Sequence, residues 1–247
     1  MLLPDPQLPP MLTGHSVKAP DEPFVWAVAG AAAGRLGAAD FVWARNTSRA
    51  TCALVLEPEC SMKLAQQMQV MAEVAVAEAL GAACPPQVAV ELRWPGQVIV
   101  NGAYAGCVRL AAPSAARDLP DVPPQWLVVA LEIAILSERQ DREPGETPME
   151  TTLWDEGCTD VTRTTLLEAL GPRLLAWIHT WQHSGFRPLA QEWLYRAEGR
   201  RSNTVIDGRA GLVLGRDEEA GLMFKPSDGG VVVLPFGPHV IFENGAR

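Results

Sequence analysis

Two stretches restrict the folds open to this chain more than any other feature. Residues 51–57 (TCALVLE) and 126–135 (WLVVALEIAI) are almost unbroken apolar runs of strand length. An apolar run without alternation reads as a central, buried strand. Residues 41–43, 88–93, 98–100 and 106–111 add further strands. The dipeptides Pro95-Gly96 and Asn101-Gly102 mark tight turns between them, and Asn-Gly predicts a hairpin over 98–111.

Helical spacing appears between these strands. The Ala-rich run 24–36 is helix-compatible. Residues 62–80 repeat apolar side chains at Leu64, Met68, Met71, Ala72, Ala75 and Ala79, with Ser61 as the expected N-cap and Gly81 as the expected stop. Residues 162–183 place Leu167, Leu170, Leu174, Trp177, Ile178 and Trp181 on one stripe, and Gly171-Pro172 predicts a kink or a split. A short helix is expected over 188–195. After Arg200 the pattern changes to short strands separated by Gly, Asp and Ser, which suggests a small β-barrel. Residues 1–23 hold six prolines and read as an extended surface arm with polyproline tendency. Residues 112–124 and 137–150 read as loops, the second charged, exposed and mobile. The expected fold is α+β: a mixed sheet with helices on one face and a small C-terminal barrel. The expected divisions are an arm (1–23), a main domain (24–195) and a C-terminal domain (196–247).

Composition narrows the function. The net charge is −9 and no basic face is visible, so nucleic acid is not an expected partner. No long uncharged apolar window predicts a membrane span, and the N-terminus lacks the pattern of a signal peptide. The five cysteines are scattered without a C-x-x-C pair, which suits reduced thiols and a cytoplasmic setting. His179 and His183 are four apart but lack the H-E-x-x-H pattern, so no metal site is expected. There is no G-x-S-x-G, Walker A or G-x-G-x-x-G motif.

The informative block is 92–107, LRWPGQVIVNGAYAGC: strand, Trp-Pro turn, strand, Asn-Gly turn, then the small pair Ala105-Gly106 opening a third strand. Small residues there would let a ligand or a strand approach the backbone closely. Trp94 reads as core or pocket wall, and Cys107 as a small buried hydrophobe.

This block resembles the signature of the biotin and lipoate protein ligase superfamily, K-W-P-N-D, apolar strand, N-G-x-K-x-A-G. The order of elements from about residue 41 to 235 is similar as well, including the phrase Leu189 to Trp193 before the Gly-punctuated strands. The resemblance implies a ligase-like catalytic domain followed by an SH3-like barrel. It implies a reaction in which ATP, with Mg, adenylates biotin, lipoate or a similar small carboxylic acid, and a lysine of a biotinyl or lipoyl carrier domain takes the acyl group. It also implies a catalytic cation at Arg93 and a ligand site formed by Trp94, Pro95, Asn101, Gly102, Ala105, Gly106, Arg45 and Arg49.

The sequence departs from that signature where the chemistry needs positive charge. The Arg-rich loop is reduced to 44–50, with only Arg45 and Arg49. Lysine before Trp-Pro is replaced by Arg93, Asn-Asp by Gly96-Gln97, and the lysine of K-x-A-G by Ala103. Lysine occurs only at Lys18, Lys63 and Lys225. These departures point to impaired catalysis, or to a non-catalytic relative that binds a ligand or carrier domain. A third possibility is transfer of an already activated acyl group, for which Cys107 is the only thiol in the block.

Overall fold

The fold is described from a computed structural model covering residues 3–137 and 148–243. In chain order the elements are β1 (Thr13–Val17), α1 (Pro23–Ala32), β2 (Asp40–Ala44), β3 (Arg49–Leu56), α2 (Met62–Ala65), α3 (Gln67–Ala83), β4 (Val90–Arg93), β5 (Gln97–Val100), β6 (Ala103–Pro113), α4 (Ala115–Asp118), β7 (Leu127–Ala134), α5 (Arg163–Ser184), α6 (Arg187–Arg196), β8 (Thr204–Ile206), β9 (Arg209–Arg216), β10 (Leu222–Pro226), β11 (Val232–Leu234), a 3-10 turn (Gly237–His239) and β12 (Ile241–Glu243).

The main sheet runs β1-β2-β3-β7-β6-β5-β4, and β12 pairs in parallel with the end of β6. The two apolar runs, β3 and β7, lie side by side at its centre, paired from Arg49 with Ala134 to Leu56 with Leu127. Helices cover both faces of the sheet, not one. α3 and α5 pack over Leu54, Val129, Leu131 and Ile133. α1 covers the opposite face, where Ala27, Val28 and Ala31 meet Val42, Ala53, Val55, Val128 and Ala130. Unalternating strands require this second cover, because their outward side chains are apolar as well.

Several local expectations change in the structure. The proline-rich arm lies largely exposed along the surface but is anchored there: Thr13–Val17 adds a parallel edge strand beside β2, and Leu12 is buried. Ser61 occupies the N-cap of α2 without a side-chain capping bond, and a break at Gln66 separates α2 from α3. α3 runs past Gly81 to Ala83 and stops at Cys84, whose extended backbone precedes Pro85. Proline restricts the residue before it, and that sets the end. α5 is not split at Pro172. A Cβ on Gly171 would sit 3.0 Å from Pro9, so that glycine makes room for the arm. Of the expected loop 137–150, residues 138–147 lie outside the described residues.

β8 to β11 form a separate antiparallel sheet, order β11-β10-β9-β8. This is the small barrel-like C-terminal unit expected from the Gly-spaced pattern. Its Val213, Leu222, Phe224 and Phe236 join the same apolar core as α3.

Candidate ligand site

The link between β2 and β3 is short and pinned. Arg45 N–H donates to the Val17 carbonyl at 3.0 Å, and Ile135 N–H donates to the Ser48 carbonyl at 2.7 Å. The Asn46 side chain accepts from both the N–H and the hydroxyl of Ser48, each at 2.8 Å. This link and the segment before α1 enclose a cavity of about 450 Å³. It is lined by Asp21, Glu22, Arg45, Thr47, Arg49 and Glu132, among others. The structure therefore brings Arg45 and Arg49 to one cavity.

Neither arginine is uncommitted. Arg45 donates to Asp5 at 2.7 Å, in a pair with both side chains well exposed, and lies over the Trp43 ring. Arg49 pairs with Glu132 of β7. Glu132 also faces Arg109 of β6 at 3.7 Å. Thr51, Glu132 and Cys107 are register partners across β3, β7 and β6, so they share a row on the same sheet face as Ala53 and Ala130, the face on which α1 packs. Sequence reading missed Glu132, Asp5 and Arg109. They sit in ordinary strand and loop contexts, and only strand register makes them part of the site.

The block 92–108 borders a different hollow from the one beside Arg45 and Arg49. Pro95, Gln97, Tyr104, Cys107 and Val108 contribute to a cavity of about 360 Å³, with Arg109 and His239. Burial pushes the Tyr104 phenol up, and its hydrogen bond to Cys107 adds to this, so it stays neutral. Trp94 is not in that wall. It is buried with edge-on contacts to Phe236 and His239, and Arg216 lies 4.4 Å over its ring. Gly106 is small for a reason internal to the sheet, and Ala105 beside it falls at an irregularity of the pairing. The β5–β6 register shifts between Val98 and Ile99, leaving Ala105 opposite no partner. A Cβ on Gly106 would overlap the Glu132 carbonyl. Asn101 and Gly102 form the turn that Asn-Gly predicts, with φ of 49° and 87°. The Asn101 side chain there accepts from Ala89 N–H and donates to Glu156.

Arg93, the expected catalytic cation, is in the lining of neither cavity. It makes a two-pronged pair with Glu198, Nε at 2.5 Å and Nη2 at 2.7 Å, and those bonds push its guanidinium up. These residues do not fit a nucleoside triphosphate. Such a group needs several free cations, whereas Arg45, Arg49 and Arg93 each face a carboxylate, and Asp21, Glu22 and Glu132 outnumber the two arginines at the cavity.

Comparison with known proteins adds to this geometry. A model of the biotin/lipoate A/B protein ligase family matches residues 8–195. A biotin–[acetyl-CoA-carboxylase] ligase of Paracoccus denitrificans is 27% identical over 201 residues, 81% of this chain and 80% of the relative. A biotin protein ligase-like protein of unknown function from a Silicibacter species is 35% identical with a TM-score of 0.83, covering 95% of this chain and 99% of that one. Biotin protein ligase from Aquifex aeolicus, in complex with biotin and ATP, is 15% identical with a TM-score of 0.66, covering 92% of this chain and 96% of that one. At that identity the likeness is one of fold.

Proposed function

Because the chain belongs to the biotin/lipoate A/B protein ligase family, we propose that it binds a small carboxylic acid at the Arg45–Arg49 cavity and does not adenylate it efficiently. The observation that carries this reading is the neutralisation of Arg45, Arg49 and Arg93 by Asp5, Glu132 and Glu198. Adenylation builds charge on the α-phosphate and the attacking carboxylate, and preorganised free cations are what stabilise it. A single carboxylate asks for less. The Arg45–Asp5 pair is exposed, and exposed pairs are worth at most about 1 kcal/mol, so an incoming carboxylate can replace Asp5. Arg45 then holds the acid, while Thr47 and Thr51 offer hydroxyls in the same cavity.

Calorimetric titration with biotin, lipoate, octanoate and ATP, combined with a pyrophosphate-release assay, tests this. The expected result is binding of one acid, weakened about tenfold in Arg45→Ala, which removes a charge-assisted hydrogen bond. No pyrophosphate release above background should accompany it. The relationship to the Paracoccus denitrificans ligase favours a second reading, an active enzyme that transfers its acyl group to a carrier lysine. Robust turnover that collapses in Arg93→Ala would establish that reading and overturn the first.

A further inference from the structure

A larger hollow, of about 540 Å³, lies on the α3/α5 side of the sheet, opposite the Arg45–Arg49 cavity. It exists because the apolar stripe of α5 runs on past the closed core. Leu167, Leu170 and Leu174 on that stripe are buried, but Leu175, Ile178 and Trp181 are only partly covered and turn toward the end of β3. Leu54 and Leu56 from β3, and Met68 from α3, supply the other walls. The Trp181 ring is fixed by its Nε1–H, which donates to Gln67 at 2.6 Å. A mostly apolar concavity of this size with a few polar groups at its mouth has the form of a small-molecule site.

The mouth carries one sign of charge. Among the described residues that line the hollow, Glu57 and Glu59 are the only ionisable acids or bases besides the Cys60 thiol, and none is a lysine or arginine. Both carboxylates are exposed. A fatty acid or another carboxylate would be repelled there, whereas an apolar chain ending in a cation gains at both ends.

We infer that this hollow binds an amphipathic primary amine, its alkyl chain among Leu54, Met68, Ile178 and Trp181 and its ammonium at Glu57 and Glu59. The two faces of the sheet then select opposite charges, an acid beside Arg45 and an amine here. The inference does not depend on the acid-binding reading.

The test is a titration of the full chain with n-decylamine, n-decanoate and n-decanol near neutral pH. It is paired with mass-spectrometric mapping of Cys60 alkylation by iodoacetamide. Cys60 is a half-buried thiol in the wall and reports occupancy directly. Decylamine should bind about tenfold more tightly than decanoate, and the gap should shrink as salt is added. It should also slow alkylation of Cys60. The double variant Glu57→Gln/Glu59→Gln changes only exposed side chains, so it should fold normally and bind the amine about fivefold more weakly. Leu175→Trp, which fills the hollow from a half-buried position, should abolish both binding and protection. Arg45→Ala should leave amine binding unchanged. Equal binding of amine and acid, amine binding indifferent to the double Gln variant, or unprotected Cys60 in the presence of bound amine would each overturn the inference.

Discussion

Arg216 is the least expected side chain in the molecule. It is 6% exposed, and its three guanidinium nitrogens have no hydrogen-bond partner among the described residues. It lies between the faces of Trp94 and Trp193, 4.4 and 4.5 Å from their centres. Burial pulls its pKa down to about 10, while the field of buried Glu73 favours the charged form. Glu73 is pushed up by burial, and Arg216 and hydrogen bonds from Trp193 and Gln69 oppose that. Removing one charge of such a pair strands the other. Arg216→Met alone should therefore lose about 3–5 kcal/mol in urea unfolding. Adding Glu73→Gln should recover much of it, and simple additivity of the two losses would refute the coupling. His239, edge-on to Trp94, gives a pH signature. Burial lowers its pKa, with Arg216 adding to this and Asp207 opposing. The unfolded chain takes up that proton first on acidification, so stability rises with pH across this window. The contribution is complete above the ordinary histidine value near 6.5 and is lost as pH falls below it toward the folded value. His239→Phe should flatten that part of a thermal-stability profile, and an unchanged slope would exclude His239 as its source.

At the scale of elements, the β5–β6 hairpin holds two glycines that are required for different reasons. Gly102 has φ of 87° and open space around its Cβ position, so only the backbone conformation demands glycine. Gly102→Ala should cost about 1 kcal/mol. Gly106 meets the backbone of β7, with Ile133 Cα 2.9 Å from a would-be Cβ. Gly106→Ala has to push β6 and β7 apart at the centre of the sheet and should cost more, about 1–3 kcal/mol or above. Chemical denaturation of the two variants side by side checks the order, and the reverse order would show that β6 yields more easily than the packing implies. A bulky residue at Gly106 would disrupt the strand pairing itself, which makes it a poor probe of ligand binding.

Across the whole molecule, Arg93 works as a tether. Its pair with Glu198 joins the end of β4 to the segment after α6, where Leu92 and Ala197 also bridge and Glu198 N–H donates to the Leu92 carbonyl. Gln66 and Gln67 donate to the Glu219 and Glu218 carbonyls, and β12 returns to β6, so the C-terminal sheet is held at several points. Arg93→Ala should lower stability by about 1–2 kcal/mol and leave acid binding at Arg45 unchanged. Thermal unfolding alongside calorimetry separates these outcomes, and a loss of acid affinity with stability intact would return Arg93 to the ligand site.

The parts governed by local chemistry were legible along the chain. Unalternating runs became β3 and β7, Asn101-Gly102 became the β5–β6 turn, helical stripes became α3 and α5, and Gly-spaced strands became the small C-terminal sheet. The family signature around Trp94 was legible for the same reason, since its residues are contiguous. Which charges remained available depended on long-range pairing. The partners of Arg93, Arg49 and Arg45 lie 105, 83 and 40 residues away in sequence. Such pairs follow from strand register and from where the proline-rich arm and the α6 end come to rest. Spacing along the chain carries no trace of them, because a carboxylate in a strand or loop has the same local pattern whether or not a distant guanidinium reaches it.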